Sequence, residues 1–182
     1  MDITPLLTFP KIKEKAKVIS YIFGNKNIDW FNYDGITFYI PSDLDMLYFL
    51  GILHDVYQNG RYSMLDVKDK VVINVGGLLG ECAIYFSKVG ASKVYCIEAD
   101  PRLATLCKIN TRANCDNIEV LEKRVSKDGL TIEKLPKADI IQINLDQKAD
   151  KYIHDNLSKL KEKYKQVYFK YHLPEGNFIM IL

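Results

Sequence analysis

The stretch VVINVGGLLG, residues 71–80, joins a short apolar, β-branched run to a turn carrying Gly76, Gly77 and Gly80, and it decides how the rest of the chain is read. A buried strand that breaks on glycines and runs straight into a helical pattern is the first half of a βαβ unit. The following residues continue that alternation: a helix over 80–89, a strand over 93–98, a helix over 101–114, and further strands over 118–121, 139–145 and 166–171. Asp100 is placed to cap the second helix, with Pro101 at the first helical position, where its missing N–H costs nothing. Between the last two strands, Ala149, Ile153, Leu157, Leu160 and Tyr164 recur at helical spacing and predict one apolar helix face. Five strands separated by crossovers imply an α/β, Rossmann-like, mostly parallel sheet.

Upstream of Lys68 the pattern changes, which divides the chain into an accessory segment, residues 1–67, and a core, residues 68–182, expected to form one compact domain. Residues 11–23 fit a helix. Asp34-Gly35 between aromatic and β-branched residues predicts a β-hairpin, since both turn positions tolerate positive φ. Ser42 and Asp45 resemble a capping box opening a helix that runs to about Tyr57 and is closed by Asn59-Gly60.

A length of 182 residues with 48% hydrophobic content suits a packed domain, and a net charge of +2 gives no reason to expect nucleic acid or a membrane surface as partner. Residues 1–10 lack a basic leader with an apolar core, and no run of about 18 apolar residues occurs. Cys82, Cys96, Cys107 and Cys115 form no Cys-x-x-Cys pair, which argues against a metal centre and for reduced thiols in a cytoplasmic protein.

Chemistry concentrates at the glycine turn. Glycines allow tight turning and close ligand approach, and the helix that follows directs its N–H groups and positive dipole end at the ligand. Glu98 ends the next strand 22 positions after Gly76 (98 − 76), near the offset at which an acidic side chain meets a ribose, so an adenosine-type ligand is the natural reading. The competing reading has the glycines serving helix–strand packing, with Glu98 a solvated strand end.

Residues 71–129 resemble the FkbM-type branch of class I S-adenosylmethionine-dependent methyltransferases. The likeness lies in residues 71–80, in Ala83-Ile84-Tyr85-Phe86, in Gly90-Ala91-Ser92-Lys93-Val94, in Glu98-Ala99-Asp100-Pro101, in Asn117-Ile118-Glu119-Val120 and in Val125-Ser126-Lys127-Asp128-Gly129. It implies that S-adenosylmethionine binds over Asn74, Gly76, Gly77, Leu78 and Gly80, with its ribose on Glu98, its adenine near Ala99 and the loop after Leu121, and Asn144 close by. It also implies an enzyme that methylates a hydroxyl oxygen of a small molecule or sugar.

The chain departs from the family pattern at named positions. Asn74 stands where the family usually has aspartate, and Leu78 where it has asparagine. At the fourth core strand the usual Lys-Ile-Asp-x-Glu-Gly is replaced by Gln142, Ile143, Asn144, Leu145, Asp146 and Gln147. Lost charge predicts weaker cofactor binding. These changes keep open a non-catalytic binding or assembly module, and the breadth of the fold keeps open an RNA methyltransferase. Lys170 replaces the acid of a Glu-x-His pattern and His172 remains, the candidate general base at a strand's C-terminal end. Residues 173–182 suffice for a turn at Pro174-Glu175-Gly176 and one edge strand, an apolar strand suited to homodimer pairing. His54 reads as a packing histidine, His154 as solvated, and Lys159, Lys161, Lys163 and Lys165 as a solvated helix face.

Overall fold

The computed structural model describes residues 10–26, 28–144, 147–173 and 176–181, and for 147–150, 171–173 and 176–181 the backbone alone. In chain order the elements are α1 (Lys15–Ile22), β1 (Trp30–Tyr33), β2 (Ile36–Tyr39), α2 (Met46–Tyr57), β3 (Val71–Val75), α3 (Glu81–Lys88), β4 (Lys93–Glu98), α4 (Pro101–Asn114) and β5 (Ile118–Glu122). A 3₁₀ turn (Ile132–Lys134) follows, then β6 (Ile140–Asn144), α5 (Gln147–His154), α6 (Leu157–Lys163), β7 (Gln166–Leu173) and β8 (Gly176–Ile181). Six strands make one sheet in the order β5-β4-β3-β6-β7-β8. All neighbours are parallel except β8, which runs antiparallel on the edge of β7. Chain order reverses at β3, so β3 and β6 flank the switch point at whose C-terminal ends such sheets place ligands.

Alternation along β3 sends Val72 and Asn74 to one face and Ile73 and Val75 to the other. The first face packs against α2, α3 and α4 through Tyr62, Ala83, Phe86, Cys96, Cys107 and Tyr168. The second packs against the 3₁₀ turn, α5 and α6 through Ile97, Ile132, Ile153, Leu160 and Phe169. The hairpin forms as its turn chemistry demands, with Asp34 at φ 50° and Gly35 at φ 85°. Phe31, Phe38 and Phe49 then join Leu79 and Ile84 in a third cluster that seats the N-terminal segment beside the glycine turn.

The bounds of β4 and α4 are those expected, and the Asp100 side chain accepts from Arg102 and Leu103 N–H at 2.8 and 3.1 Å. Other expectations need correction. Asp45, not Ser42, caps α2, accepting from Tyr48 N–H at 3.0 Å, because the Ser42 carbonyl is held in a turn by the buried Tyr21 hydroxyl. The helix predicted to carry the face from Ala149 to Tyr164 is two helices. Asn156 donates to the Tyr152 carbonyl at 2.9 Å and closes α5 before α6 begins. His54 is exposed on α2 rather than packed, whereas His154 is exposed as expected. Lys159, Lys161 and Lys165 are exposed as expected, the first paired with Glu133 and the last with Asp139, whereas Lys163 is partly buried and donates to the Ile132, Glu133 and Leu135 carbonyls. All four cysteines are free thiols. The turn residues Pro174 and Glu175 lie outside the described residues. Among those described, no helix is long and apolar enough to cross a membrane.

Candidate functional site

The turn between β3 and α3 holds Gly76 at φ 85°, Leu78 at φ 44° and Gly80 at φ 89°, the left-handed region in which glycine is unstrained and leucine is not. Each of its five N–H groups is taken within the chain. Gly76 and Gly77 donate to the Ile97 carbonyl at 3.0 and 3.1 Å, and Gly80 to the Gly77 carbonyl at 2.7 Å. Leu78 N–H goes to Glu98 Oε2 at 2.8 Å, and Leu79 N–H to Glu81 Oε2 at 3.2 Å. The turn itself therefore offers a ligand no free N–H, since two carboxylates and two carbonyls satisfy all five. Gly77 and Gly80 serve packing as well. A Cβ on Gly77 would lie 2.6 Å from Cys96 Sγ, and one on Gly80 would lie 3.0 Å from Thr111 Cγ2.

The predicted site residues divide by accessibility. Gly76, Leu78, Glu98, Ala99 and Asn144 are partly exposed at the C-terminal ends of β3, β4 and β6, and therefore share a surface. Asn144 lies one position beyond the last β3–β6 pair, Val75↔Ile143, beside Gly76 across the switch point. Glu98 is not a solvated strand end. Besides Leu78, it accepts from Ala99 and Asp100 N–H at 2.7 and 2.8 Å, so three of a carboxylate's roughly four acceptor positions are used. His172 lies near the C-terminal end of β7, and its side chain falls outside the described residues. Leu145 and Asp146 also fall outside them.

Asn74 is a correction. Expected against the cofactor, its side chain is fully buried beneath the turn, where Nδ2 donates to Gln142 Oε1 at 2.5 Å and Oδ1 accepts from Cys96 Sγ at 3.3 Å. Gln142 in turn donates to the Tyr62 hydroxyl at 3.2 Å, which lies 3.4 Å from Cys82 Sγ. Asn74 and Gln142 are paired across the parallel β3–β6 ladder. The two positions at which the family pattern carries aspartate and lysine thus face each other, and here both are neutral amides. A buried charge on either alone would be costly; the joint change preserves a satisfied contact.

Glu81, the first residue of α3, was not singled out from the sequence. It is 2% exposed, and burial pushes its carboxyl up to about 7, opposed by hydrogen bonds from its own and the Leu79 backbone N–H. Its position directly after the glycine turn is the one available sequence signal. Lys170, in register with Asn144, is half-buried, and desolvation followed by the nearby Arg61 charge lowers its ammonium below the usual lysine range. Among the described residues, no group of three or more His, Cys, Asp or Glu side chains could hold a metal ion.

No protein-family model matches the chain. It is 32% identical over 105 residues to an uncharacterized protein, 158B, of Sulfolobus islandicus rod-shaped virus 1, a match covering 58% of this chain and 62% of that one. The chain spans less than two thirds of the length of the curated relatives it matches. Among solved structures, M. jannaschii TYW2 in complex with AdoMet superposes with a TM-score of 0.53 at 17% identity, over 78% of this chain and 61% of that one. The M. jannaschii tRNA m1G37 methyltransferase superposes with a TM-score of 0.51 at 14% identity, over 78% and 40%. At these identities the likeness is one of architecture, and the chain has the Rossmann-like fold of the methyltransferases.

Proposed function

We propose that the chain binds S-adenosylmethionine across the C-terminal ends of β3, β4 and β6 and uses it for methyl transfer, as the FkbM-type enzymes it resembles in sequence do. The hydrogen-bond accounting of residues 76–80 carries this reading. With all five N–H groups satisfied internally, the turn has no donors left for a pyrophosphate, and the partly exposed Glu98 carboxylate disfavours an anion there. A ribose and a cationic sulfonium meet neither objection. Glu98 keeps about one acceptor position for a ribose hydroxyl, and its charge attracts the cation.

When bound, the cofactor supplies an electrophilic methyl group that passes to the acceptor as the acceptor loses a proton. The chain's own task is positioning, which can supply much of such a reaction's acceleration. Gly76 and Leu78 form the floor, Glu98 orients the ribose, Ala99 and the loop after Leu121 flank the adenine, and Asn144 bounds the opposite side. His172 is the proposed base.

The FkbM resemblance makes a small-molecule or sugar hydroxyl the first acceptor to test. Nucleic acid is a second reading with its own observation. Trp30 and Tyr39 stand opposite each other on the hairpin, 42% and 37% exposed, with Lys17 Nζ 5.9 Å from the Trp30 ring centre. Exposed aromatic faces beside a cation suit stacking of single-stranded bases, and the solved structures of this fold include a tRNA methyltransferase.

Isothermal titration with S-adenosylmethionine and S-adenosylhomocysteine tests the cofactor reading, and no detectable heat at millimolar ligand overturns it. Transfer of a labelled methyl group to small-molecule extracts or to total RNA then separates the acceptors. Binding without transfer to either marks a non-catalytic module.

A further inference from the structure

The N-terminal hairpin and the glycine turn meet on one side chain. Asn110, in the third turn of α4, is fully buried. Its Oδ1 accepts from Tyr39 N–H at 2.7 Å, while Nδ2 donates to the Tyr39 carbonyl at 3.1 Å and to the Leu79 carbonyl at 2.9 Å. One helical turn further on, Asn114 repeats the first half of this pattern. It accepts from Thr37 N–H at 3.1 Å and donates to the Thr37 carbonyl at 2.9 Å, and its remaining bond goes to the Asn110 carbonyl at 2.7 Å instead of the turn. Two residues of a strand advance about 6.7 Å and four of a helix about 6 Å. Asparagines four apart can therefore satisfy alternate residues of β2 in place of a neighbouring strand. The two amides make near-identical bonds to the hairpin, and only Asn110 also grips the turn.

We propose that Asn110 is a positioning residue for the cofactor site: by holding the Leu79 carbonyl while clasping β2, it makes the docked hairpin part of what shapes residues 76–80. The Leu79 peptide units are then fixed from both ends. Glu81 takes the Leu79 N–H, Asn110 takes the Leu79 carbonyl, and Thr111 and Cys107 of the same helix fill the space that a Cβ on Gly80 would need. The ligand-facing part of this inference rests on the cofactor reading above; the mechanical part does not.

Asn114 provides the control. Asn110→Ala, Asn110→Ser and Asn114→Ala are compared by urea unfolding, by amide hydrogen exchange of residues 76–80 without ligand, and by titration with S-adenosylhomocysteine. Both alanine variants are expected to lose stability, since each gives up one hairpin clasp, and Asn110→Ala to lose more, because Asn110 is fully buried and also releases the Leu79 carbonyl. Only the Asn110 variants are expected to speed exchange in the turn and to weaken the ligand, each by about ten-fold, as for one lost buried hydrogen bond. Asn110→Ser, which keeps a hydroxyl at the buried position but cannot span from β2 to the Leu79 carbonyl, gives the same contrast should Asn110→Ala fail to fold. Equal exchange in the turn for Asn110 and Asn114 variants overturns the proposal. Faster exchange in a protein whose wild type binds no S-adenosylhomocysteine leaves the latch standing and removes the cofactor reading.

Discussion

The two flanks of β3 solve the same problem with opposite chemistry. Toward β4, the glycine turn leans on a charge: Glu98 gathers three backbone N–H groups at a partly exposed strand end. Toward β6, it rests on a neutral, fully buried chain from Asn74 through Gln142 to Tyr62. The difference follows from water. At a strand end the carboxylate keeps part of its solvation and gains charge-assisted bonds, whereas beneath the sheet an ion pair is costly to desolvate and a matched pair of amides is not. The departures at Asn74 and Gln142, which in the sequence look like separate losses of a cofactor grip, are one contact on the underside of the turn.

Restoring charge to the buried flank is expected to have the largest effect. Asn74→Asp should cost about 4 kcal/mol in urea unfolding, as an unpaired buried charge does, and adding Gln142→Lys should recover about 2 kcal/mol of it through their coupling. A double variant no more stable than Asn74→Asp alone would show that the two positions do not act as a pair.

Glu81 gives the next effect, read through pH. Its carboxyl is raised from 4.5 to about 7 in the folded chain, so the folded state binds the proton more tightly than the unfolded state does. Its contribution to stability is fully present below about pH 4.5 and is lost as pH rises toward 7, by roughly 3 kcal/mol across that window. Glu81→Gln should flatten this slope in unfolding midpoints measured from pH 4.5 to 8. An unchanged slope would place the titration elsewhere.

On the charged flank, Glu98→Ala should cost less stability, about 2 kcal/mol, because water can reach part of the N–H cluster it abandons. Affinity for S-adenosylhomocysteine should nevertheless fall by at least about ten-fold, since both the ribose acceptor and the shape of the turn are lost. Unaltered affinity would remove Glu98 from the ligand.

Local patterns were legible in the sequence wherever neighbours in the chain set the structure. The Asp34-Gly35 turn, the strand over 93–98 and the capped helix over 101–114 all depend on backbone preferences and period. The face from Ala149 to Tyr164 reads as one helix because apolar spacing persists across Asn156, whose side chain closes α5. Asp45 displaced Ser42 as a cap because Tyr21, far away in sequence, had claimed the Ser42 carbonyl. The candidate site was legible as a place, through the glycines and Glu98, but not as a set of contacts. Asn74 reads as a ligand contact until the β3–β6 register buries it, Glu81 is marked only by its place after the glycine turn, and nothing local distinguishes Asn110 or Asn114 from other polar helix residues.

By itself, then, the sequence determined an alternating α/β chain, a glycine turn between β3 and α3, and an acidic strand end beside it, because period, turn chemistry and capping act over a few residues. Only the tertiary structure decided which side chains face a ligand and which hold the turn from beneath. That division depends on strand order, register and burial, which join residues such as Asn74 and Gln142, or Leu79 and Asn110, that lie 68 and 31 positions apart in the chain.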